Sequence, residues 1–219
     1  MSASAPAAVL FDLDGTLTDP KLGITRSIQH ALRKRGLPVP DADALEPCIG
    51  PPLLETFRER FGLAPDDARR AVDDYREYFE PRGLYENAVY PGIPELLARL
   101  RTRGVRIALA TSKPTVYAER ILDHFALAPH FEHVVGSFLD GRRVAKTELV
   151  ADALALLDGV PRERAVLVGD RRHDVAGARA NGIAAIGVGY GYGTRAELVG
   201  AGAERFAESV LVLGRLLGV

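Results

Sequence analysis

Short apolar runs alternate with helical stretches along most of the chain. Apolar runs of this length, bounded by turn residues, are typical of buried strands in a parallel sheet. Together with a further edge strand in the C-terminal tail, they predict a doubly wound parallel α/β core of five or six strands, because the βα units are too few for a barrel. The runs predicted as strands are residues 9–11, 105–110, 133–138, 165–168 and 183–188, with the edge strand near 205–206.

The alternation stops between residues 20 and 90, where only helical periodicity is found. A short helical piece is predicted at 41–48, and three apolar stripes predict three further helices. The insertion therefore predicts an α-helical domain at residues 20–85, with residues 1–19 and 86–219 forming the core domain. The stripes are Ile24, Ile28, Ala31 and Leu32; Leu54, Phe57 and Phe61; and Ala68, Val72, Tyr75 and Phe79.

Composition is that of an ordinary globular protein and excludes several function classes. The 219 residues are 47% hydrophobic and 26% charged, and the formal net charge is -1, so binding to a nucleic acid polymer is not expected. The single cysteine, Cys48, excludes an intrachain disulfide. No apolar run approaches the roughly 20 residues that span a bilayer, and the first seven residues lack the features of a signal peptide. We therefore expect a cytoplasmic protein with no membrane partner.

Polar side chains follow three of the predicted strands and open one helix. Each has an ordinary structural explanation when taken alone, as a helix cap or a surface residue. The carboxyl ends of parallel strands share one edge of a sheet, however, so all of these groups are expected to converge on one crevice. They are Asp12 and Asp14, Thr111 and Ser112, Asp170 and Asp174, and Lys146.

Together these groups suit phosphoryl transfer. Asp12, Asp14 and Asp170 are hard oxygen donors of the kind that Mg²⁺ prefers, and a cation there offsets the repulsion between Asp12 and a phosphate. Lys146 adds positive charge, and the Thr111 hydroxyl can bind phosphate oxygens. Asp12 is then placed to act as a carboxylate nucleophile. Asp14 is placed to protonate the leaving oxygen and later to take a proton from water.

These residues, in this order, resemble the four motifs of the haloacid dehalogenase-like phosphatases. The resemblance covers nearly the whole chain and implies a modified Rossmann core, Mg²⁺ dependence and a phosphoaspartate on Asp12. It also implies that Asp12, the backbone carbonyl of Asp14 and Asp170 bind the metal, with Asp174 supporting the site. The motifs are Asp12-Leu-Asp14-Gly-Thr16, Thr111-Ser112, Lys146, and Gly169-Asp170-Arg-Arg-His-Asp174.

Two further sets of residues complete the predicted site. The first is predicted to bind phosphate: Leu13, Asp14, Thr111, Ser112 and Lys146. The second comprises candidate contacts to the rest of the substrate: Gly50, Pro51, Arg26, Arg82 and Lys113. The helical insertion resembles the mobile cap of the phosphoglycolate phosphatase-like branch, in which the cap closes over the substrate and supplies specificity. Gly50 and Pro51 resemble a cap loop found in that branch and in the bacterial 5′-nucleotidase-like group.

Several functions remain open at this point. The residues in and around the motifs resemble the nucleotidase-like group slightly more closely. The expected substrate is a small phosphate ester such as a nucleoside monophosphate or phosphoglycolate. A sugar phosphomutase shares all four motifs and is an alternative. A non-catalytic binding protein with the same fold is another, although the intact set of acids and Lys146 argues against it. A monomer or a homodimer is expected.

Overall fold

The computed structural model of the chain describes residues 5–219. Its strands are β1 (Ala8–Phe11), β2 (Thr18–Asp19), β3 (Ala88–Val89), β4 (Arg106–Pro114), β5 (His133–Ser137), β6 (Ala165–Gly169), β7 (Ala184–Val188) and β8 (Arg205–Ala207). Its helices are α1 (Lys21–Lys34), α2 (Leu53–Glu59), α3 (Pro65–Tyr78), α4 (Ile93–Thr102), α5 (Thr115–His124), α6 (Lys146–Leu156), α7 (Arg172–Ala180), α8 (Arg195–Ala201) and α9 (Val210–Leu217). Short 3₁₀ helices lie at Glu46–Cys48, Ala128–His130 and Arg162–Arg164, and a π-helical turn lies at Phe79–Gly83.

Two compact units divide the chain. The larger contains the residues up to Thr18 together with Val89–Val219, and the smaller is Asp19–Ala88. The divisions fall within the two-residue strands β2 and β3, which pair with each other. No helix among the described residues is both long enough and apolar enough to cross a bilayer.

The sheet of the larger unit contains six parallel strands in the order β5-β4-β1-β6-β7-β8. Strand β1 lies inside the sheet and pairs with β4 on one side and β6 on the other, with Leu10 opposite both Ala108 and Leu167. Strands β4 and β5 extend the sheet in one direction, and β6, β7 and β8 extend it in the other. The strand order therefore reverses at β1, and open α/β sheets bind ligands outside the carboxyl ends of the strands at such a point.

Burial on both faces explains the continuous apolar run of β1. All four of its residues are buried. Ala8 and Leu10 belong to one apolar cluster with Val150 of α6 and Val175 of α7. Since successive side chains of a strand alternate, Val9 and Phe11 face the other side of the sheet. A strand with two buried faces has no polar positions of its own, so chemistry must begin where the strand ends.

In the smaller unit, α1 and α2 each pack against α3. Its apolar core includes Ile28, Phe57 and Tyr75, all of which are buried. Helix α1 also approaches the π-helical turn closely, because a Cβ on Gly23 would lie 1.8 Å from the carbonyl oxygen of Gly83. Only glycine at position 23 allows the two backbones to pack at this distance.

The predicted doubly wound core with five or six strands is confirmed. The largest error in the strand boundaries is in β4, which begins at Arg106 rather than at 105 and continues beyond 110 to Pro114. Helix α5 consequently begins at Thr115, directly after the proline that ends the strand. The register with β5 shifts between Thr111 and Pro114, and this irregularity lets the strand continue to the proline. The predicted ends of the other core strands differ from the observed ones by one residue or none.

Candidate active site

The loop that follows β1 is folded around a single carbonyl group. The Leu13 carbonyl accepts hydrogen bonds from the backbone N–H groups of Thr16, Leu17 and Thr18, at 3.2, 2.9 and 3.1 Å. This tight turn holds Asp12 and Asp14 at the carboxyl end of the strand. Gly15 completes it with a φ of +80°, in the left-handed region that favours glycine.

Gly15 also lies against Asp170, which follows β6. A Cβ on Gly15 would lie 2.2 Å from Asp170 Oδ2, so no other residue fits at position 15 without displacing that carboxylate. Asp170 is fully buried. The neighbouring strands β1 and β6 thus bring the two acidic motifs into contact, as the sharing of one sheet edge predicts.

Lys146, the first residue of α6, lies between two of the acids. Its ammonium nitrogen lies 2.7 Å from Asp12 Oδ1 and 2.8 Å from Asp174 Oδ1. It also donates a hydrogen bond of 2.9 Å to the carbonyl oxygen of Ala110. Only 5% of the Lys146 side chain is exposed, so this charge acts on Asp12 and Asp174 with little screening by water.

The pKa values of the buried groups at the site are shifted chiefly by burial and secondarily by neighbouring charges. Burial raises the pKa of Asp170 well above its ordinary value, and the charges of Asp174 and Asp12 add to this effect. Burial also raises the pKa of Asp174 to about 6, although Lys146 opposes the shift. For Lys146, burial opposes the charged form, but Asp12 and Asp174 outweigh it and raise the pKa. Burial therefore disfavours the charged forms of Asp170 and Asp174, and the charge of Asp12 adds to this effect.

The donor set fits a divalent cation. Asp12, Asp170 and Asp174 each offer a carboxylate oxygen within 4.8 Å of the others. Within residues 5–219, Asp170 Oδ1 is buried and has no hydrogen-bond partner. These three acids and Asp14 carry four negative charges against the two positive charges of Lys113 and Lys146, which contact them. A deficit of two positive charges and an all-oxygen donor set are the requirements that a hard divalent cation meets.

Asp14 is paired with Lys113, a residue predicted as a substrate contact. Lys113 Nζ lies 2.8 Å from Asp14 Oδ2, and only 6% of the lysine side chain is exposed. Burial raises the pKa of Asp14, and Lys113 opposes that shift. Lys113 therefore contacts the carboxylate of Asp14, the predicted acid–base residue.

Thr111 and Ser112 are oriented differently. Thr111 is 2% exposed, and its Oγ1 accepts a hydrogen bond of 3.3 Å from the backbone N–H of Lys113. The Ser112 hydroxyl instead donates a hydrogen bond of 3.0 Å to the carbonyl oxygen of Val144. The side chain of Ser112 is thus engaged in holding the segment that precedes α6.

The other predicted substrate contacts lie in the smaller unit. Arg26, on α1, is exposed and forms an ion pair of 2.5 Å with Glu86. Arg82 lies in the π-helical turn, with its guanidinium 6.0 Å from the ring centroid of Tyr78. Gly50 is exposed with a φ of +103°, and Pro51 follows it in the turn before α2.

Sequence reasoning missed the loop between Gly189 and Gly193, which follows β7. The backbone N–H of Tyr192 donates a hydrogen bond of 2.8 Å to Asp170 Oδ2, and the Tyr190 hydroxyl donates one of 3.1 Å to the carbonyl oxygen of Thr16. The available signal was the run of glycines alternating with tyrosines directly after a predicted strand. Glycines at the end of a parallel strand indicate close approach of the backbone to the ligand edge.

Comparisons with known proteins agree with this geometry. A family model described as haloacid dehalogenase-like hydrolase matches residues 9–188. A 5′-nucleotidase from Pseudomonas aeruginosa is 52% identical over 190 residues, which are 87% of this chain and 86% of that protein. The tyrosine-protein kinase PtkA from Mycobacterium tuberculosis is 49% identical over 195 residues, 89% of this chain and 66% of that protein. A phosphoglycolate phosphatase from Caulobacter vibrioides is 32% identical over 85% of this chain and 80% of that protein. The crystal structure of a predicted phosphatase from Clostridium acetobutylicum aligns with a TM-score of 0.93 at 42% identity, covering 99% of this chain and all of that one.

Proposed function

Because the chain belongs to the haloacid dehalogenase-like hydrolase family and is a phosphatase acting on phosphoric monoesters, we propose that it hydrolyses a small organic phosphate through an aspartyl-phosphate on Asp12, with Mg²⁺ as its cofactor. The observation that carries the proposal is the contact of Lys146 with both Asp12 and Asp174 beside the buried Asp170. This arrangement holds a carboxylate ready for attack next to the positive charge that a phosphoryl group requires.

The reaction has two steps, each assigned to residues of this chain. In the first, a carboxylate oxygen of Asp12 forms a bond to phosphorus while the bond to the ester oxygen breaks, and Asp14 gives its proton to that oxygen. In the second, Asp14 takes a proton from water, the water oxygen attacks phosphorus, and Asp12 leaves as a free carboxylate. The ammonium of Lys146 contacts Asp12 and offsets the negative charge of the carboxylate and the phosphate during both steps. Burial raises the pKa of Asp14, although the contact with Lys113 opposes the shift.

The metal is assigned to Asp12, the backbone carbonyl of Asp14 and Asp170, with Asp174 in support. When bound, Mg²⁺ supplies positive charge that reduces the repulsion between Asp12 and the phosphate. The phosphate-binding groups are assigned to Leu13, Asp14, Thr111 and Lys146, and to Ser112 through its backbone, because the Ser112 hydroxyl is hydrogen-bonded to Val144. The role of the helical unit as a cap that selects the substrate remains a prediction, as do the candidate contacts in it.

For the substrate, we propose a nucleoside 5′-monophosphate. The support is the 52% identity to the Pseudomonas aeruginosa 5′-nucleotidase over most of both chains, against 32% to the phosphoglycolate phosphatase. The test is phosphate release from a panel of nucleoside monophosphates, phosphoglycolate, sugar phosphates and 4-nitrophenyl phosphate. We expect release only with Mg²⁺ present and loss of activity with a chelator. Activity confined to phosphoglycolate would contradict the substrate, and conversion of a sugar phosphate to its isomer without phosphate release would indicate a mutase.

The likeness to PtkA supports a second candidate, transfer of the phosphoryl group to a tyrosine hydroxyl. In such a transfer the first step would form the aspartyl-phosphate from the γ-phosphate of ATP with release of ADP, and in the second step the tyrosine hydroxyl would replace water as the acceptor and lose its proton while Asp12 leaves as a free carboxylate. Incubation with γ-labelled ATP and Mg²⁺ distinguishes the two. We expect free labelled phosphate or no reaction, whereas stable label on tyrosine would favour the transferase.

Lys113→Met is expected to lower kcat about 10- to 100-fold for an alkyl phosphate and much less for 4-nitrophenyl phosphate. Lys113 holds the carboxylate of Asp14, and general acid–base catalysis contributes on the order of 10²- to 10⁴-fold. An aryl leaving group needs little protonation, so loss of the acid affects it less. The measurement is kcat and KM with both substrates. Lys34→Met, at a lysine that is 40% exposed in the helical unit, is the control and should behave as wild type. Equal losses for the two substrates would contradict the assignment.

A further inference from the structure

The loop from Gly189 to Gly193 encloses Asp170 with backbone rather than with side chains. A Cβ on Gly191 would lie 2.2 Å from the carbonyl oxygen of Gly15 and 2.6 Å from Asp170 Cβ. A Cβ on Gly193 would lie 1.8 Å from the carbonyl oxygen of Asp170. Three backbone segments, which follow β1, β6 and β7, therefore meet at one carboxylate with no room for a methyl group between them.

Tyr190 ties this loop to the loop that carries Asp12. Its hydroxyl donates a hydrogen bond of 3.1 Å to the carbonyl oxygen of Thr16, a residue that is fully buried. Its ring packs edge-on against Tyr90, with the ring centroids 5.0 Å apart. The hydroxyl remains a donor because burial raises the pKa of Tyr190. The tie fixes the spacing between the loops after β1 and β7, and Asp170 lies between them.

The two oxygens of Asp170 have different surroundings. Oδ2 accepts the hydrogen bond from the backbone N–H of Tyr192, which fixes the rotation of the carboxylate. Oδ1 is buried and has no hydrogen-bond partner within the part of the chain that the structure describes. A buried carboxylate oxygen left without a donor costs free energy unless a cation binds it. The loop thus provides a hydrogen bond to Oδ2 and leaves Oδ1 available to a cation.

We propose that the Gly189–Gly193 loop is a positioning element for the cation site, in which Tyr192 N–H orients Asp170, Gly191 admits the backbone of the Asp12 loop, and Tyr190 fixes the two loops together. The inference rests on the proposed function, since it assumes that Asp170 binds the metal. A loop that only closes the end of the sheet would affect unfolding but not the affinity of the folded protein for a cation.

The test measures binding of Mg²⁺ alone to the metal-free, full-length protein by titration calorimetry, together with the Mg²⁺-induced rise in melting temperature. Gly191→Ala is expected to weaken Mg²⁺ binding about 10- to 100-fold, the range found for changes to groups that orient metal ligands. Gly200→Ala is the matched control. Among residues 5–219, no atom outside the adjacent residues and the nearby backbone of α8 comes within 4 Å of a Cβ built there, so the same methyl group should leave Mg²⁺ affinity unchanged.

Tyr190→Phe supplies an independent variant in case Gly191→Ala does not fold. It keeps the ring that packs on Tyr90 and removes only the hydroxyl. We expect a smaller loss of Mg²⁺ affinity, on the order of several-fold, because the backbone donor of Tyr192 remains. If the wild-type protein binds no Mg²⁺, the proposed function fails. If the wild type binds it and both folded variants bind equally well, only the positioning role of the loop is wrong.

Discussion

Replacing Asp12 by asparagine is expected to reduce the turnover of 4-nitrophenyl phosphate with Mg²⁺ by about 10⁴-fold or more. The amide has nearly the same size as the carboxylate but is a far weaker nucleophile, and removal of a nucleophile has effects of this order in enzymes that form covalent intermediates. Asp12 is only 7% exposed, and Lys146 retains its contact with Asp174 in the variant. The fold should therefore persist. The measurement is steady-state phosphate release beside the melting temperature.

Asp123→Asn provides the matched control for this experiment. Asp123 is an exposed acid on α5 in the same unit, so the same chemical change there should leave turnover within about twofold of wild type. A folded Asp12→Asn protein with normal turnover would remove Asp12 from the chemistry. Loss of activity together with loss of the fold would call for the Asp12→Glu variant, which keeps the charge and moves the oxygens.

Lys146→Met is expected to impair both turnover and stability. The ammonium contacts Asp12, Asp174 and the carbonyl of Ala110, and the methionine side chain replaces it with a group of similar length and no charge. Two buried acids then lose their shared cation, and removal of one partner from a buried pair costs about 3–5 kcal/mol. Turnover should fall by about 10²- to 10⁴-fold, because the charge that offsets the attacked phosphate is lost.

Stability is measured as the free energy of urea-induced unfolding of the metal-free protein. Turnover is measured separately on the folded protein at saturating Mg²⁺. Lys34→Met again serves as the control, because that lysine is 40% exposed and solvent-exposed ion pairs contribute about 0–1 kcal/mol. Its less exposed partner, Asp74, keeps its ion pair with Arg35 in the variant. A Lys146→Met protein as stable and as active as the control would show that the lysine has no part in holding the acids.

The position of the acids could be predicted from the sequence because it follows from topology. Apolar runs predicted the parallel strands, and parallel strands share an edge, so Asp12 and Asp170 had to lie near each other whatever the packing details. The pairing of neighbouring strands in the sheet then determines which of the following loops are in contact. No such rule gives the contacts within a loop, and the fold of the Asp12 loop around the Leu13 carbonyl could not be predicted.

The pairing of Lys113 with Asp14 was missed because β4 was ended too early. The strand continues to Pro114, but its register with β5 shifts between Thr111 and Pro114, so simple alternation does not place the side chains of Ser112 and Lys113. In the structure, the Ser112 side chain turns to Val144 and the Lys113 side chain to Asp14. An alternating pattern over three or four polar residues is too short to distinguish a strand end from a loop.

The contribution of the loop after β7 could not be predicted for a different reason. Its glycines indicate a close approach, but a sequence does not say which atoms approach. Its partners, Thr16 and Asp170, are distant in the chain, and the hydrogen bonds come from one side-chain hydroxyl and one backbone N–H. Every residue except proline carries a backbone N–H, so the identity of a residue does not show whether its backbone acts as a donor.

Phosphorylation of Asp12 is tested by trapping the phosphorylated protein. The Asp14→Asn protein is mixed with labelled 4-nitrophenyl phosphate and Mg²⁺ and quenched in acid. This leaving group needs no protonation, so the first step should proceed, while hydrolysis slows because no base activates water. We predict label on the protein, located to Asp12 by peptide mass spectrometry and absent from the Asp12→Asn, Asp14→Asn double variant. Label on another residue would contradict the assignment of Asp12 as the nucleophile. Phosphate release by the wild type, with no label on either the wild-type or the Asp14→Asn protein, would contradict a covalent intermediate.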